Sequence, residues 1–258
     1  MIVATLNVNS IRMRLDAVLE WLAENEPDVL ALQETKVPDE KFPLAEFEEL
    51  GWQVAIHGQK SYNGVALVSR HPIANVRTGF GDPLFPEDCR LVAAEVEGVT
   101  ILNTYVPNGT AVGTDKFAYK LAWLDRFLVY LRAHVDPGAP AVWLGDMNIA
   151  PTQDDVWGSP KHEGKIGRHK EELARLEALL AWGWTDLFRK FTQGPGHYTF
   201  WDYVIPRSFE NNLGWRIDHI YGTAPVASAC SRCEIDPSLR QAPKPSDHTA
   251  VVARLISS

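Results

Sequence analysis

Val142-Trp143-Leu144-Gly145-Asp146-Met147-Asn148 is an apolar run that reaches a glycine and then presents a carboxylate and a carboxamide two residues apart. On extended backbone, residues two apart point to the same face. Acidic and amide groups at the end of a buried strand are poor core material, so they point to a cleft where metal, water or phosphate is handled. Gly, Asp and Asn are also turn formers, and a plain turn is the competing reading. The cleft is favoured because polar groups recur at other predicted strand ends. Ile2 to Leu6 releases Asn7-Val8-Asn9, and Asp28 to Leu32 releases Gln33-Glu34-Thr35-Lys36. Thr100 to Val106 ends in Tyr105-Val106-Pro107-Asn108-Gly109, Trp215 to Tyr221 contains Asp218, and Ser246-Asp247-His248 enters the strand Thr249 to Leu255.

Helices lie between these strands. Leu15, Val18, Leu19 and Leu22 follow helical spacing up to Pro27; Phe117, Leu121, Leu124, Leu128 and Leu131 mark a longer helix, and Leu173, Leu176, Leu179 and Leu180 a third that ends at Gly183. Asn63-Gly64 between the extended runs of Trp52 to Ser69 predicts a hairpin, and Glu97-Gly98 joins a second. Tyr198 to Tyr203 is read as extended. Polar motifs come from both halves of the chain and no Ser/Gly/Pro linker divides it, so residues 1–258 are expected to form a single α/β domain of packed, antiparallel-rich sheets covered by helices.

The 258 residues are 45% hydrophobic, ample for a folded core. No apolar run has the length of a membrane span, and the first residues lack the charged region and apolar core of a signal peptide, so a cytoplasmic location is expected. A net charge of −8 argues against coating nucleic acid by bulk electrostatics but leaves room for a local basic groove. Cys89, Cys230 and Cys233 are too few for a disulfide framework, and Cys230-x-x-Cys233 lacks the second ligand pair of a zinc site.

The strand-end inventory of Asn7, Glu34, Tyr105, Asp146, Asn148, Asp218 and His248 suits a hard Mg²⁺, with Mn²⁺ as a substitute, held by carboxylate and amide oxygens. Glu34 and Asn7 fill that role. There is neither a phosphate-cradling Gly-x-x-x-x-Gly-Lys loop nor a Gly-x-Ser-x-Gly elbow, which leaves water as the nucleophile. Asp146 is then the candidate base, Asn148 orients the water, and Asp218 keeps His248 cationic opposite a phosphate.

With these residues in place the chain resembles the exonuclease III family of apurinic/apyrimidinic endonucleases, within the endonuclease/exonuclease/phosphatase fold. The resemblance runs from Thr5-Leu6-Asn7-Val8-Asn9 through Leu32-Gln33-Glu34-Thr35-Lys36, Tyr62-Asn63-Gly64, Gly145-Asp146-Met147-Asn148 and Gly214-Trp215-Arg216-Ile217-Asp218 to Ser246-Asp247-His248. It implies a four-layer sandwich of two largely antiparallel sheets flanked by helices, with the active site at one end. It also implies hydrolysis of the phosphodiester 5′ to an abasic site in double-stranded DNA, leaving a 3′-hydroxyl, with 3′→5′ exonuclease and 3′-phosphatase activity on damaged 3′ ends, by a monomer. By the same resemblance Asp247 is a further metal ligand or supports one. Tyr105 and Asn108 contact the phosphate or leaving group, and Phe200 and Trp215 wall a pocket for an extruded sugar. Lys116 and Lys120, with Arg12 and Lys36, are candidate phosphate contacts; Trp201 and His219 are read as structural. Val156 to Lys170 does not match the family pattern, and Glu171-Glu172-Leu173 after it matches the family's Glu-Glu-Arg-like run only in part. A catalytically silent RNA-binding member of the fold and a phosphoesterase for other substrates are the alternative functions.

Overall fold

The computed structural model describes residues 1–83, 85 and 88–256. The strands are β1 (Ile2–Asn7), β2 (Val29–Gln33), β3 (Gln53–His57), β4 (Val65–Ser69), β5 (Ala74–Thr78), β6 (Leu91–Val96), β7 (Val99–Tyr105), β8 (Ala141–Asp146), β9 (Thr185–Asp186), β10 (Asp218–Gly222), β11 (Cys230–Asp236) and β12 (Ala250–Leu255). The helices are α1 (Ile11–Asn25), α2 (Leu44–Glu48), α3 (Asp115–His134), α4 (Lys170–Ala181) and α5 (Ala224–Ala229). One sheet has the order β11-β12-β1-β2-β4-β3 and the other β5-β6-β7-β8-β10-β9. Their facing sides share a core of small and β-branched residues, among them Val29, Ala31, Val65, Val92, Ile101, Val142, Ile220 and Val251. The outer face of the first sheet packs on α1 and α2 through Val18, Trp21, Leu22 and Phe47, and that of the second on α3 and α4 through Trp123, Phe127, Trp143 and Leu176. This is the expected four-layer sandwich.

Parallel pairing joins β1 to β2 and β7 to β8, while the other strand pairs are antiparallel. In both cases the crossover is a helix, α1 in one sheet and α3 in the other. Ligand sites of parallel strands form beyond their carboxyl ends. The two crossovers therefore open two such ends, and the packing brings them to the same pole. Between the sheets beneath that pole, Asn103 of β7 donates from Nδ2 to the carbonyls of Leu32 and Ala66, both at 2.9 Å, and accepts from Gln33 Nε2 at 2.7 Å. This buried amide clasp fixes the height of one sheet against the other.

Three expectations need correction. Strands β3 and β4 do pair, but across residues 58–64, so Asn63-Gly64 ends a longer loop instead of forming a two-residue turn. There the carbonyls of Asn63 and Gly64 accept the N–H groups of Lys36 and Thr35, bracing the Glu34 loop. A Cβ on Gly64 would stand 2.1 Å from Thr35 Oγ1. Residues 198–203 form isolated bridges of Phe200 with Trp215 and with His248, not a strand. The buried face of α3 is Phe117, Lys120, Trp123, Leu124, Phe127, Tyr130 and Leu131, rotated from the leucine stripe read in the sequence because the larger aromatic rings fill the space over β8. The Glu97-Gly98 hairpin forms as expected, with Val96 paired to Val99. Among the described residues no helix is long and apolar enough to cross a membrane.

Candidate active site

Register builds half of the site. Tyr105 of β7 pairs with Asp146 of β8, which pairs with Asp218 of β10, so three candidate side chains stand in a row across adjacent strands. Gly145 permits this ladder to close. Its φ is +135°, and a Cβ there would lie 2.0 Å from the Thr104 carbonyl. The strand ends at Asp146, and Asn148 takes a left-handed conformation with φ +49°. Both readings of the opening stretch are thus partly right. It is a buried strand that terminates in a turn, and the Asn148 N–H donates to Asp146 Oδ1 at 2.8 Å.

The other sheet supplies Asn7, at the end of β1, and Glu34, directly after β2. Asn7 Nδ2 donates to Glu34 Oε1 and to Asp146 Oδ2, each at 2.9 Å, and thereby ties the two sheets together at the site. Its oxygen accepts from the Asn9 N–H at 3.0 Å. The amide therefore meets the carboxylates with its N–H end, which cannot ligate a cation, and Asn7 bridges the two groups it was expected to assist. Lys36 Nζ lies 2.8 Å from Glu34 Oε2. Burial would raise the Glu34 pKa, but the Lys36 ammonium and the hydrogen bonds from Lys36 and Asn7 outweigh it and hold the carboxylate ionised. The Tyr105 hydroxyl is hydrogen bonded to Glu34; burial and the two carboxylates push its pKa well above the ordinary phenol value, so it is a neutral donor.

His248 arrives from the loop before β12. Its Nδ1 lies 2.8 Å from Asp218 Oδ2, and its Nε2 lies 3.9 Å from Asp146 Oδ2. Burial alone would lower its pKa, but Asp218 and then Asp146 drive it up to about 10. It is an imidazolium at neutral pH. For Asp146, burial and the Asp218 carboxylate push the pKa up to about 7, against the opposing pull of His248. Glu34, Asp146 and His248 each bring one candidate ligand atom within 4.8 Å of the others. As an imidazolium, His248 carries a proton on both ring nitrogens and has no lone pair for a cation, so the hard donors are the two carboxylates.

Asn108 and Asn148 form an amide pair. Asn108 Nδ2 donates to Asn148 Oδ1 at 3.0 Å, and Asn148 Nδ2 to the Val106 carbonyl at 2.9 Å. Asp247 Oδ1 accepts from Asn9 Nδ2 at 2.9 Å at the rim. Lys116 is exposed on the first turn of α3. Lys120, read as a phosphate contact, is fully buried against Glu172 and donates to the carbonyls of Asn148 and Asn108; no phosphate backbone can reach it. Its place was detectable, since position 120 falls between Phe117 and Leu124 on the buried helical stripe.

Glu34, Tyr105, Asn108, Asp146, Asn148, Asp247 and His248 line a cleft of about 460 Å³, whose apolar side is Phe200, Trp215, Ile205, Leu213 and Ile217. Phe200 packs on the His248 ring at 4.8 Å. The segment after Val156, unplaced by sequence reasoning, closes the cleft through Trp157, His162 and Ile166, with His162 edge-on to Trp215 at 4.8 Å. Its only sequence signal was aromatic residues in a loop between two strands that carry site residues. A slightly larger cavity, about 500 Å³, lies at the opposite pole around Met1, His71 and Leu255 and contains none of the site residues.

Behind β10, Arg216 pairs with Asp155 and Asp186 and meets His219 Nδ1 at 3.0 Å, while His219 Nε2 meets the Ile149 carbonyl at 3.1 Å. His219 is held in this buried network outside the cleft, in line with its structural reading. Burial and then Arg216 lower its pKa to about 4. In the unfolded chain it takes up a proton near 6.5, so between pH 6.5 and 4 the unfolded state binds more protons and stability falls as pH falls. The urea midpoint of the protein is expected to drop more steeply across that window than that of His219→Gln; equal slopes would contradict this origin.

The comparisons agree with this geometry. The family model described as Endonuclease/Exonuclease/phosphatase family matches residues 4–248. Exodeoxyribonuclease III of Haemophilus influenzae is 34% identical over 263 aligned residues, covering 96% of this chain and 97% of that protein. Among solved structures, an AP endonuclease from Archaeoglobus fulgidus is 42% identical with a TM-score of 0.96 over 99% of each chain. A 3′ phosphatase from Neisseria bound to a product DNA hairpin is 38% identical with a TM-score of 0.94 over all of both chains. The chain belongs to the endonuclease/exonuclease/phosphatase family, in its exodeoxyribonuclease III branch.

Proposed function

We propose that the protein is a Mg²⁺-dependent DNA-repair nuclease that hydrolyses the phosphodiester 5′ to an abasic site and also trims damaged 3′ ends, acting as a cytoplasmic monomer. The observation that carries this reading is the convergence of Glu34 and His248, at strand ends of one sheet, with Asp146 and Asp218 of the other. The residues fit a hard divalent cation: Glu34 and Asp146 share a hydrogen-bond donor, and Asp146 is pushed up to about 7 by burial and a neighbouring carboxylate that a cation would offset. Glu34 and Asp146 would hold the ion, with Asp247 at the rim, and Mg²⁺ or Mn²⁺ there would polarise the phosphate and its bound water. Asp146 accepts the proton of the attacking water, worth roughly 10²–10⁴-fold in rate. Asn148, fixed by Asn108, keeps one lone pair of Oδ1 for that water. The His248 imidazolium faces the charge that builds on the phosphate, and the Tyr105 hydroxyl donates toward the phosphate and the departing 3′-oxygen. Phe200 and Trp215 wall a space that suits an unstacked sugar, and a missing base lowers the cost of extrusion. Lys116 supplies an exposed charge for a backbone phosphate.

The test is a duplex carrying one abasic analogue, incubated with Mg²⁺ and in parallel with excess EDTA, beside 3′-phosphate and undamaged recessed-end duplexes. Incision 5′ to the analogue with metal and none with chelator is the expected result. No incision above background with Mg²⁺ present would overturn the reading.

A further inference from the structure

Lys120 and Glu172 form an ion pair from which solvent is wholly excluded, both side chains being 0% exposed. Removing two charges from water is costly, and apolar residues of similar volume often serve stability as well or better. The pair therefore invites a reason other than stability, and its hydrogen bonds supply one. Lys120 Nζ donates to the carbonyl of Asn148 at 2.8 Å and to that of Asn108 at 3.3 Å. Glu172 Oε1 accepts from the Gly167 N–H at 3.1 Å, and Oε2 from the His169 N–H at 3.0 Å. Gly167 in turn accepts from the Ala150 N–H at 3.0 Å, and its α-carbon lies under the Trp215 ring, where a Cβ would come within 3.2 Å. One ion pair thus joins three loops: that after β7 with Asn108, that after β8 with Asn148, and that before α4 with Gly167. Asn148 is the residue with most to lose, because its φ of +49° is held from outside by this carbonyl contact and by Asp146.

We propose that Lys120 and Glu172 are positioning residues that hold the Asn108–Asn148 amide pair in register with the Gly167–Trp215 wall of the cleft. Neither touches substrate. They act through backbone groups of residues that do, and this assignment rests on the hydrolase reading above. It accounts for Lys120 standing on an otherwise apolar stripe, and for a wholly buried glutamate in the first turn of α4. A simple helix cap would explain the His169 contact but not the ammonium on the two asparagine carbonyls.

Single variants leave one charge buried and unpaired, so Lys120→Met and Glu172→Leu are each expected to melt lower. The decisive protein is the double variant, Lys120→Met with Glu172→Leu. It is expected to recover the wild-type melting temperature while kcat for incision stays down roughly 10–100-fold and KM changes little, as for loss of a group that orients another. Backbone amides of Gly167 and Ala150 should exchange hydrogen faster in this stable variant. A double variant with wild-type kcat, or with unchanged exchange at both amides, would overturn the proposal. If the wild-type protein incises no abasic duplex, the functional reading fails, and the exchange measurement still decides whether the pair holds the loops.

Discussion

Asp146→Asn is expected to lose incision by roughly 10⁴-fold or more, through removal of the proposed base together with one of the two carboxylates proposed to hold the cation. The same protein is expected to melt higher than wild type at pH 7.5 in EDTA. The folded pKa of Asp146 is raised to about 7 by burial and by Asp218, while the unfolded carboxyl titrates near 3.9. Between those values the folded state binds more protons, so the group's contribution to stability falls as pH rises toward 7 and stays unfavourable above it. An asparagine carries no charge to penalise, and its oxygen can still accept from the Asn148 N–H. Calorimetry at pH 7.5 and single-turnover incision measure the two effects. A lower melting temperature would contradict the electrostatic account, and incision above about 1% of wild type would contradict the catalytic one.

His248→Ala is expected to lower both activity and stability. Loss of one fixed donor opposite developing phosphate charge costs roughly 10²–10³-fold in kcat. Stability suffers because Asp218 Oδ2 is paired with His248, and Asp218 Oδ1 is buried with no hydrogen-bond partner. Breaking a buried pair from one side costs about 3–5 kcal/mol. In a domain of this size that is about 2–4 °C of melting temperature per kcal/mol. Two substitutions within one site thus move the melting temperature in opposite directions. An unchanged melt for His248→Ala would remove the argument that the buried Asp218–His248 pair contributes to stability.

Where local chemistry determined the outcome, the sequence could be read directly. Asn7, Glu34, Tyr105, Asp146, Asp218 and His248 each follow, interrupt or lead into an apolar run, and a polar side chain at that place has no core to enter. The two crossovers were visible as strand, helix, strand. What escaped reading depended on contacts far along the chain. The position of Lys120 on the buried stripe was readable, but the Glu172 carboxylate and the Asn108 and Asn148 carbonyls that receive its ammonium lie on other segments. The partnership of His162 and Trp215 joins loops 53 residues apart, with no pattern in either. Asn7 was assigned by residue type alone, which says that an amide has two ends but not which end meets the carboxylates. Residues 198–203 looked extended because aromatics and threonine favour strands, yet their partners, Trp215 and His248, accept only single bridges.

The amide bridge from Asn7 to both carboxylates has a consequence in time. Asn7 and Asp146 are separated by 139 residues, and the chain threads the first sheet, then the second, and returns to the first for β11 and β12. Such distant contacts form late and together. Synthesis delivers Asn7 and Glu34 first and His248 last, so a nascent chain that has not yet reached its final strand holds an incomplete set. The site therefore closes only when β12 returns to the first sheet and carries His248 to Asp218.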